Sequence, residues 1–164
     1  MSIVLFRVDE RLIHGQVVVG WGTVLRPDRI VVVDDALADS EWEQELFTMG
    51  LFGELAASFE TIEEARAHLA GWRAAKERII VLTRDVASMR KLADGGLLRG
   101  EQINIGGIHH AAGRRQILPY VYLSDEETRQ MSALSEEGAV ISARDLPAAR
   151  KVDLNEMLGN NRET

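Results

Sequence analysis

Three short runs of apolar, mostly β-branched residues decide what this chain can fold into: Ile3 to Val8, Arg29 to Val33 and Arg78 to Leu82. Apolarity sustained over so few residues suits a strand covered on both faces, because a half-exposed strand alternates apolar with polar positions. Such strands need helices above and below them, and the intervening segments have helical spacing. Val17, Val18, Trp21, Val24 and Leu25 recur on one side of a helix that Pro27 ends. Trp42, Leu46, Met49 and Leu51 do the same behind Ser40, a predicted N-cap. Thr61-Ile62-Glu63-Glu64 makes a capping box ahead of Ala65 and Leu69.

The alternation continues to the end of the chain. A short strand at Ala57 to Phe59 precedes Thr61, and Thr83 or Asp85 caps a helix through Met89 and Leu92 that Gly95-Gly96 stops. Gln102 to Ile105 is a strand closed by Gly106-Gly107, and Val121 to Leu123 is another. Ser124-Asp125-Glu126-Glu127 caps a helix through Met131 and Leu134, ended by Gly138. Ala139 to Ser142 is the last strand and Leu154 to Leu158 a closing helical turn. The pattern predicts a single α/β domain over residues 1–158, an open twisted, mostly parallel β-sheet with helices on both faces. Residues 159–164 are expected to be a disordered tail. Ligands of such a sheet bind at the carboxyl ends of its strands.

Charge and composition narrow the function classes. A net charge of −7 argues against non-specific nucleic-acid binding, which needs a basic face. The absence of cysteine excludes disulfides, thiolate catalysis and cysteine metal sites, and fits a reducing cytoplasm. The longest apolar runs are too short to cross a bilayer, and the first ten residues lack the features of a signal peptide. The expectation is a cytoplasmic protein.

Chemistry concentrates in Arg7-Val8-Asp9-Glu10-Arg11-Leu12-Ile13-His14-Gly15-Gln16-Val17, which leaves the first strand and enters the first helix. Gly15 permits close approach of a backbone or a phosphate. The helix N-terminus offers free N–H groups and a positive dipole end to an anion. Arg7 and Arg11 flank the histidine with guanidinium groups suited to phosphate oxygens. Neutral imidazole is a good nucleophile, and an ordinary pKa of about 6.5 leaves it mostly neutral near neutral pH. Phosphoryl transfer needs in-line positioning and neutralised oxygen charge, so neither Mg²⁺ nor any other cofactor is called for. Asp9 either orients the imidazole or fixes Arg11. On spacing alone, a helix-capping histidine among surface ion pairs explains the segment equally well.

The run Arg-x-Asp-x-Arg-Leu-Ile-His-Gly-Gln-Val resembles the amino-terminal signature of the mannose/fructose/sorbose-type IIB subunits of the sugar phosphotransferase system. Ile30-Val31-Val32-Val33-Asp34-Asp35, Leu92 with Gly95-Gly96, and Ile103-Asn104-Ile105-Gly106-Gly107 recur in similar order, so the resemblance spans most of the chain. It implies that His14 is the phosphorylated residue, on Nδ1, and Arg11 the phosphate-stabilising arginine, with Asp9 and Gln16 in the active-site loop. It implies a phosphorylated IIA subunit as donor and a sugar held by membrane subunits IIC and IID as acceptor. Branches that phosphorylate a cysteine are excluded by its absence.

Weaker signals have plainer readings. Gly20-Trp21-Gly22 reads as close helix packing rather than a docking surface, which burial of Trp21 would decide. Adjacent His109 and His110 point to opposite sides of an extended strand, which disfavours a metal site; one of them is expected to line the crevice of His14. His68 is read as a surface residue. Thr83 and Arg84 are candidates to reach a phosphate on His14, if their strand neighbours the first. Arg114 and Arg115 are candidates for a basic rim facing an acidic IIA. A regulatory phosphohistidine module would need the same nucleophile, and a nucleotide-binding protein is disfavoured by the absence of the glycine-rich loops. A homo-oligomer is compatible with the sequence.

Overall fold

A computed structural model of the protein describes residues 2–162. The first apolar run is β1 (Ile3–Val8), and the other two become β2 (Arg29–Val33) and β4 (Ile79–Thr83). With β3 (Ala56–Glu60), β5 (Gln102–Ile105), β8 (Val140–Ala143) and β9 (Val152–Asp153) they form one sheet in the order β3-β2-β4-β1-β5-β8-β9. Every pair is parallel except β8 with β9. A separate antiparallel hairpin joins β6 (Arg115–Leu118) to β7 (Val121–Leu123).

Successive strand residues point to opposite faces, and both faces are apolar. Val31, Val33, Ile79 and Val81 pack beneath α4 (Ile62–Ala74), α5 (Val86–Ala93) and α6 (Asp125–Glu136). Ile30, Val32, Ile80 and Leu82 pack against Leu12, Ile13, Val17 and Val18, and the helical segments between β2 and β3 share that face. Each such side chain contributes roughly 1.5–3 kcal/mol by leaving water, so the two layers hold the sheet between them. This is the expected mostly parallel sheet with helices on both faces.

Capping explains where the helices begin. Thr61 and Ser124 each accept from the backbone N–H three residues on, while Glu64 and Glu127 bond back to complete both boxes. Asp85, not Thr83, caps α5, accepting from Ser88 N–H at 2.7 Å. Ser40 makes no side-chain cap bond. The helix after β1 opens with a π-helical stretch, Gln16–Trp21, that runs into α1 (Gly22–Leu25); π-turns cluster at functional sites.

The sequence reading omitted α2 (Asp35–Ala38), β6 and β9, all short elements. Of the residues expected to form a tail, 159–162 belong to α7 (Leu154–Arg162), and 163–164 lie outside the described residues. No helix of the described residues is long and apolar enough to cross a membrane.

The topology singles out one crevice. From β1 the chain crosses over β4 to reach β2, whereas from β4 it crosses back over β1 to reach β5. Right-handed crossovers in opposite directions place their helices on opposite faces and leave a gap at the carboxyl end of β1. The loop that carries His14 starts there.

Candidate active site

The loop is fastened at both ends of Asp9. The Asp9 N–H donates to the carbonyl of Thr83 on one side (3.0 Å), and Glu10 N–H donates to Gly107 on the other (2.9 Å). Leu12 N–H returns to the Asp9 carbonyl at 3.0 Å, closing a turn in which Leu12 takes φ +57°. That left-handed conformation costs a non-glycine residue about 1 kcal/mol. Burial of the whole Leu12 side chain, with Ile13 beside it, more than offsets the cost. The turn holds His14 back above Asp9 before the helix begins.

Asp9 is fully buried and organises everything around it. Its Oδ1 accepts from the Arg11 backbone N–H (3.1 Å) and Nε (3.2 Å). Its Oδ2 accepts from Arg7 Nη2 (3.1 Å), Arg11 Nη2 (3.3 Å) and the Gly107 N–H (3.3 Å), and lies 3.1 Å from His14 Nε2. Burial alone would push this carboxyl up. Hydrogen bonds from His14 and Arg11, with the charge of Arg7, outweigh it and hold the group well below the usual carboxylate range. An ionised Asp9 can only accept, so His14 Nε2 carries the proton it donates. The lone pair of a neutral ring is therefore on Nδ1, which accepts from Gln16 N–H at 3.3 Å.

The flanking position of Arg7 suggests a phosphate ligand, but the structure buries its guanidinium against Asp9 instead. It is wholly buried, bonding Asn104 Oδ1 and the carbonyls of Arg144 (2.9 Å) and Asp145 (3.1 Å) as well as Asp9. Its guanidinium lies over the ring of Trp21, 5.2 Å from the centroid. Burial lowers its pKa, and the charge of Asp9 and its hydrogen bond draw it back up. Gly106 makes this placement possible: any Cβ there would occupy the space of the Arg7 guanidinium. Trp21 is buried and donates to the Asp145 carbonyl at 3.0 Å, so it is a packing residue.

Arg11 has the opposite character. One edge is held by Asp9 and by Gln16 Oε1 (2.7 Å), but its side chain is 35% exposed and Nη1 has no partner among the described residues. The Gly15 N–H is likewise unpaired, and a Cβ at Gly15 would meet nothing within 4 Å. One short loop thus carries an imidazole nitrogen with a lone pair, a guanidinium edge without a partner and the open N–H of Gly15, a setting suited to a transferred phosphoryl group.

Other candidates are placed elsewhere. Thr83 is buried in register with Val8 and turns its hydroxyl to the Asp85 carbonyl, while Arg84 donates to Asp34 at 2.9 Å; neither bonds His14. His109 sits on the rim, bonded to Glu10 rather than to His14, and His110 packs edge-on to Tyr122. Arg114 is taken by Glu10 and Glu127, and Arg115 by Asp125, so no free basic rim forms there. Among the described residues no cluster of three or more His, Asp or Glu could hold a metal. The sequence reading missed Asn104, Gly106, Arg144 and Asp145. One signal was legible: Arg7 and Asn104 each interrupt an apolar strand, and they are register partners.

The family model of the sorbose-subfamily IIB component of the PTS system matches residues 3–164. The chain belongs to that family. Its members are sugar phosphotransferase components, and relatives across nearly the whole length bear this out. The N-acetylgalactosamine-specific phosphotransferase enzyme IIB component 1 of Escherichia coli K12 is 32% identical, covering 92% of this chain and 94% of its own. The crystal structure of N-acetylgalactosamine-specific IIB component 1 from Escherichia coli superposes with a TM-score of 0.84 at 30% identity, over 92% of this chain and 98% of that one. The mannose-specific EIIAB component of Escherichia coli K12 is 25% identical over 96% of this chain, which spans 49% of that longer protein.

Proposed function

We propose that this IIB component accepts a phosphoryl group on His14 Nδ1 from a phosphorylated IIA protein and passes it to a sugar held by IIC and IID membrane subunits, working in the cytoplasm. The observation that carries the reading is the Asp9–His14 pair, in which a buried, ionised carboxylate holds Nε2–H and leaves Nδ1 as the nucleophile. A relative whose name joins A and B components supports a IIA donor.

The phosphoryl group moves by two in-line displacements. The Nδ1 lone pair attacks phosphorus in line as the donor's P–N bond breaks, and the departing imidazole keeps that electron pair. Arg11 Nη1 and the N–H groups of Gly15 and Gln16 neutralise charge on the equatorial oxygens. Asp9 stabilises the positive ring that forms, through the bond to Nε2–H. A sugar hydroxyl then attacks the same phosphorus with its proton passing to water, and as the P–N bond breaks its electron pair returns to Nδ1.

The test is label transfer from phosphoenolpyruvate through Enzyme I, HPr and a mannose-type IIA to wild type and His14→Ala. Wild type is expected to take up acid-labile, alkali-stable label, and the variant at least about 10⁴-fold less, with an unchanged melting profile. Label on the variant, or none on wild type from a demonstrably charged cognate IIA, would refute the proposal.

A further inference from the structure

α3 (Glu41–Thr48) is apolar on two sides, whereas a surface helix needs only one. Its inward side sets Phe47 against Phe59, with ring centroids 6.5 Å apart. Gln44 ties it to α2 by donating to the carbonyls of Leu37 (2.9 Å) and Ala38 (3.1 Å). Its outward side carries Trp42, Leu46 and Met49, spaced four and three residues apart and therefore stacked in one stripe. Phe52 follows just beyond. These four are 67%, 58%, 79% and 66% exposed, and the only other exposed large apolar side chains among the described residues are Val19, Val24, Val140 and Leu146. So concentrated an exposed apolar surface marks an interaction site.

Charge says what kind of partner it fits. Residues 30–60 contain no lysine, arginine or histidine. Asp39, Glu41, Glu43, Glu45 and Glu54 have no side-chain partner among the described residues, whereas Glu10, Glu101, Glu127 and Glu156 each hold an arginine. The stripe therefore lies in an acidic frame whose members have no ion-pair partner among the described residues, with Arg26 beside Phe52 and Glu54 at one end of it. A second copy would bring the same acids across the interface, and an anionic lipid surface would repel them. A protein surface with an apolar centre and a Lys/Arg rim is complementary, and cytosol-facing loops of membrane proteins carry an excess of those residues. α2 leaves the carboxyl end of β2, the end of the sheet that also carries His14, and α3 runs from there toward Phe52, which lies beside Arg26, Pro27 and Asp28 ahead of β2.

We infer that the outward stripe of α3 docks this chain onto the basic, cytosol-facing surface of the membrane subunits that receive its phosphoryl group. The inference rests on the proposed phosphocarrier role, and the acidic frame supplies steering while the stripe supplies holding contacts.

The experiment measures two steps on the full chain: labelling of His14 by IIA, and sugar phosphorylation by washed membrane vesicles carrying the cognate IIC and IID. A Leu46→Glu/Met49→Glu variant is expected to label within about 2-fold of wild type. Its half-saturating concentration in the vesicle step should rise at least about 10-fold, with maximal rate little changed. Glu41→Lys/Glu45→Lys should shift the same way by less, without touching any packed side chain, and added salt should weaken wild type more than this variant. Unchanged half-saturation in both variants overturns the inference. Slower labelling by IIA would instead make the stripe the donor's site, and loss of a wild-type dimer on sedimentation would make it a self-association face; each also overturns it. Failure of wild type to label at all would sink the phosphocarrier reading instead, before the vesicle step is reached.

Discussion

Asp9 and Asp34 occupy the same place in the fold and lead different lives. Each lies just past the carboxyl end of a strand, is buried, accepts a backbone N–H and pairs with arginine. After Asp34 the chain turns straight into α2, and the carboxylate caps it by accepting from Leu37 N–H at 2.9 Å. Its one ion pair is to Arg84, whose side chain is 44% exposed. After Asp9 the helix is delayed by a loop with a left-handed, buried Leu12, and that delay is what places an imidazole over the carboxylate. The same acid–arginine pairing caps a helix where the helix begins at once and, in the proposed mechanism, orients a nucleophile where a loop intervenes.

The sharpest break in the comparison is removal of each acid. Asp9→Ala leaves buried Arg7 without its counter-charge and should destabilise the protein by about 3–5 kcal/mol. Asp34→Ala removes a cap and a half-exposed pair, for about 1–2 kcal/mol. Urea unfolding of both variants checks this, and equal losses would mean that the Arg7–Asp9 pair is no more costly to break than a cap.

The arginines give a second, somewhat smaller contrast. Arg11→Ala should slow transfer to His14 by about 10²–10³-fold, the usual result of removing one donor aimed at developing charge. Arg84→Ala should leave it within about 2-fold, because Arg84 is engaged by Asp34 and makes no bond to His14. Single-turnover transfer from phospho-IIA reads both. Near-normal transfer by Arg11→Ala would remove its free edge from the mechanism.

What was legible in the sequence follows from the range of the forces involved. β1, β2 and β5, and the capping boxes at Thr61 and Ser124, depend on residues a few positions apart, and each was read correctly. Thr83 against Asp85 was a choice between two local caps that only geometry could make. The role of Arg7 was out of reach for another reason. Its partners Asn104, Arg144 and Asp145 lie 97 to 138 residues away, and its space exists because Gly106 lacks a side chain. Basic residues beside a histidine looked alike on paper; burial separates Arg7, which holds the carboxylate, from Arg11, which has an edge free for phosphate.

Acid sharpens the same point with the smallest signal. An aspartate in the unfolded chain titrates near pH ~3.9. Asp9 is pushed up by burial, but His14, Arg11 and Arg7 together hold it well below that value in the folded state. Between the two values the unfolded chain binds the proton and the folded protein does not, so protons favour unfolding. The stability that Asp9 contributes is therefore complete above about pH 4–5 and is lost as pH falls through the folded value. The difference in unfolding free energy between wild type and Asp9→Asn should be flat with respect to this group from pH 6 to 8 and shrink steadily below about pH 4. Chemical denaturation of the pair from pH 3 to 8 would show it. A gap that stays constant into acid would mean that the carboxyl is not held ionised by its neighbours. The argument for Nδ1 as the nucleophile would then fail with it, because only an ionised Asp9 obliges His14 to keep its proton on Nε2.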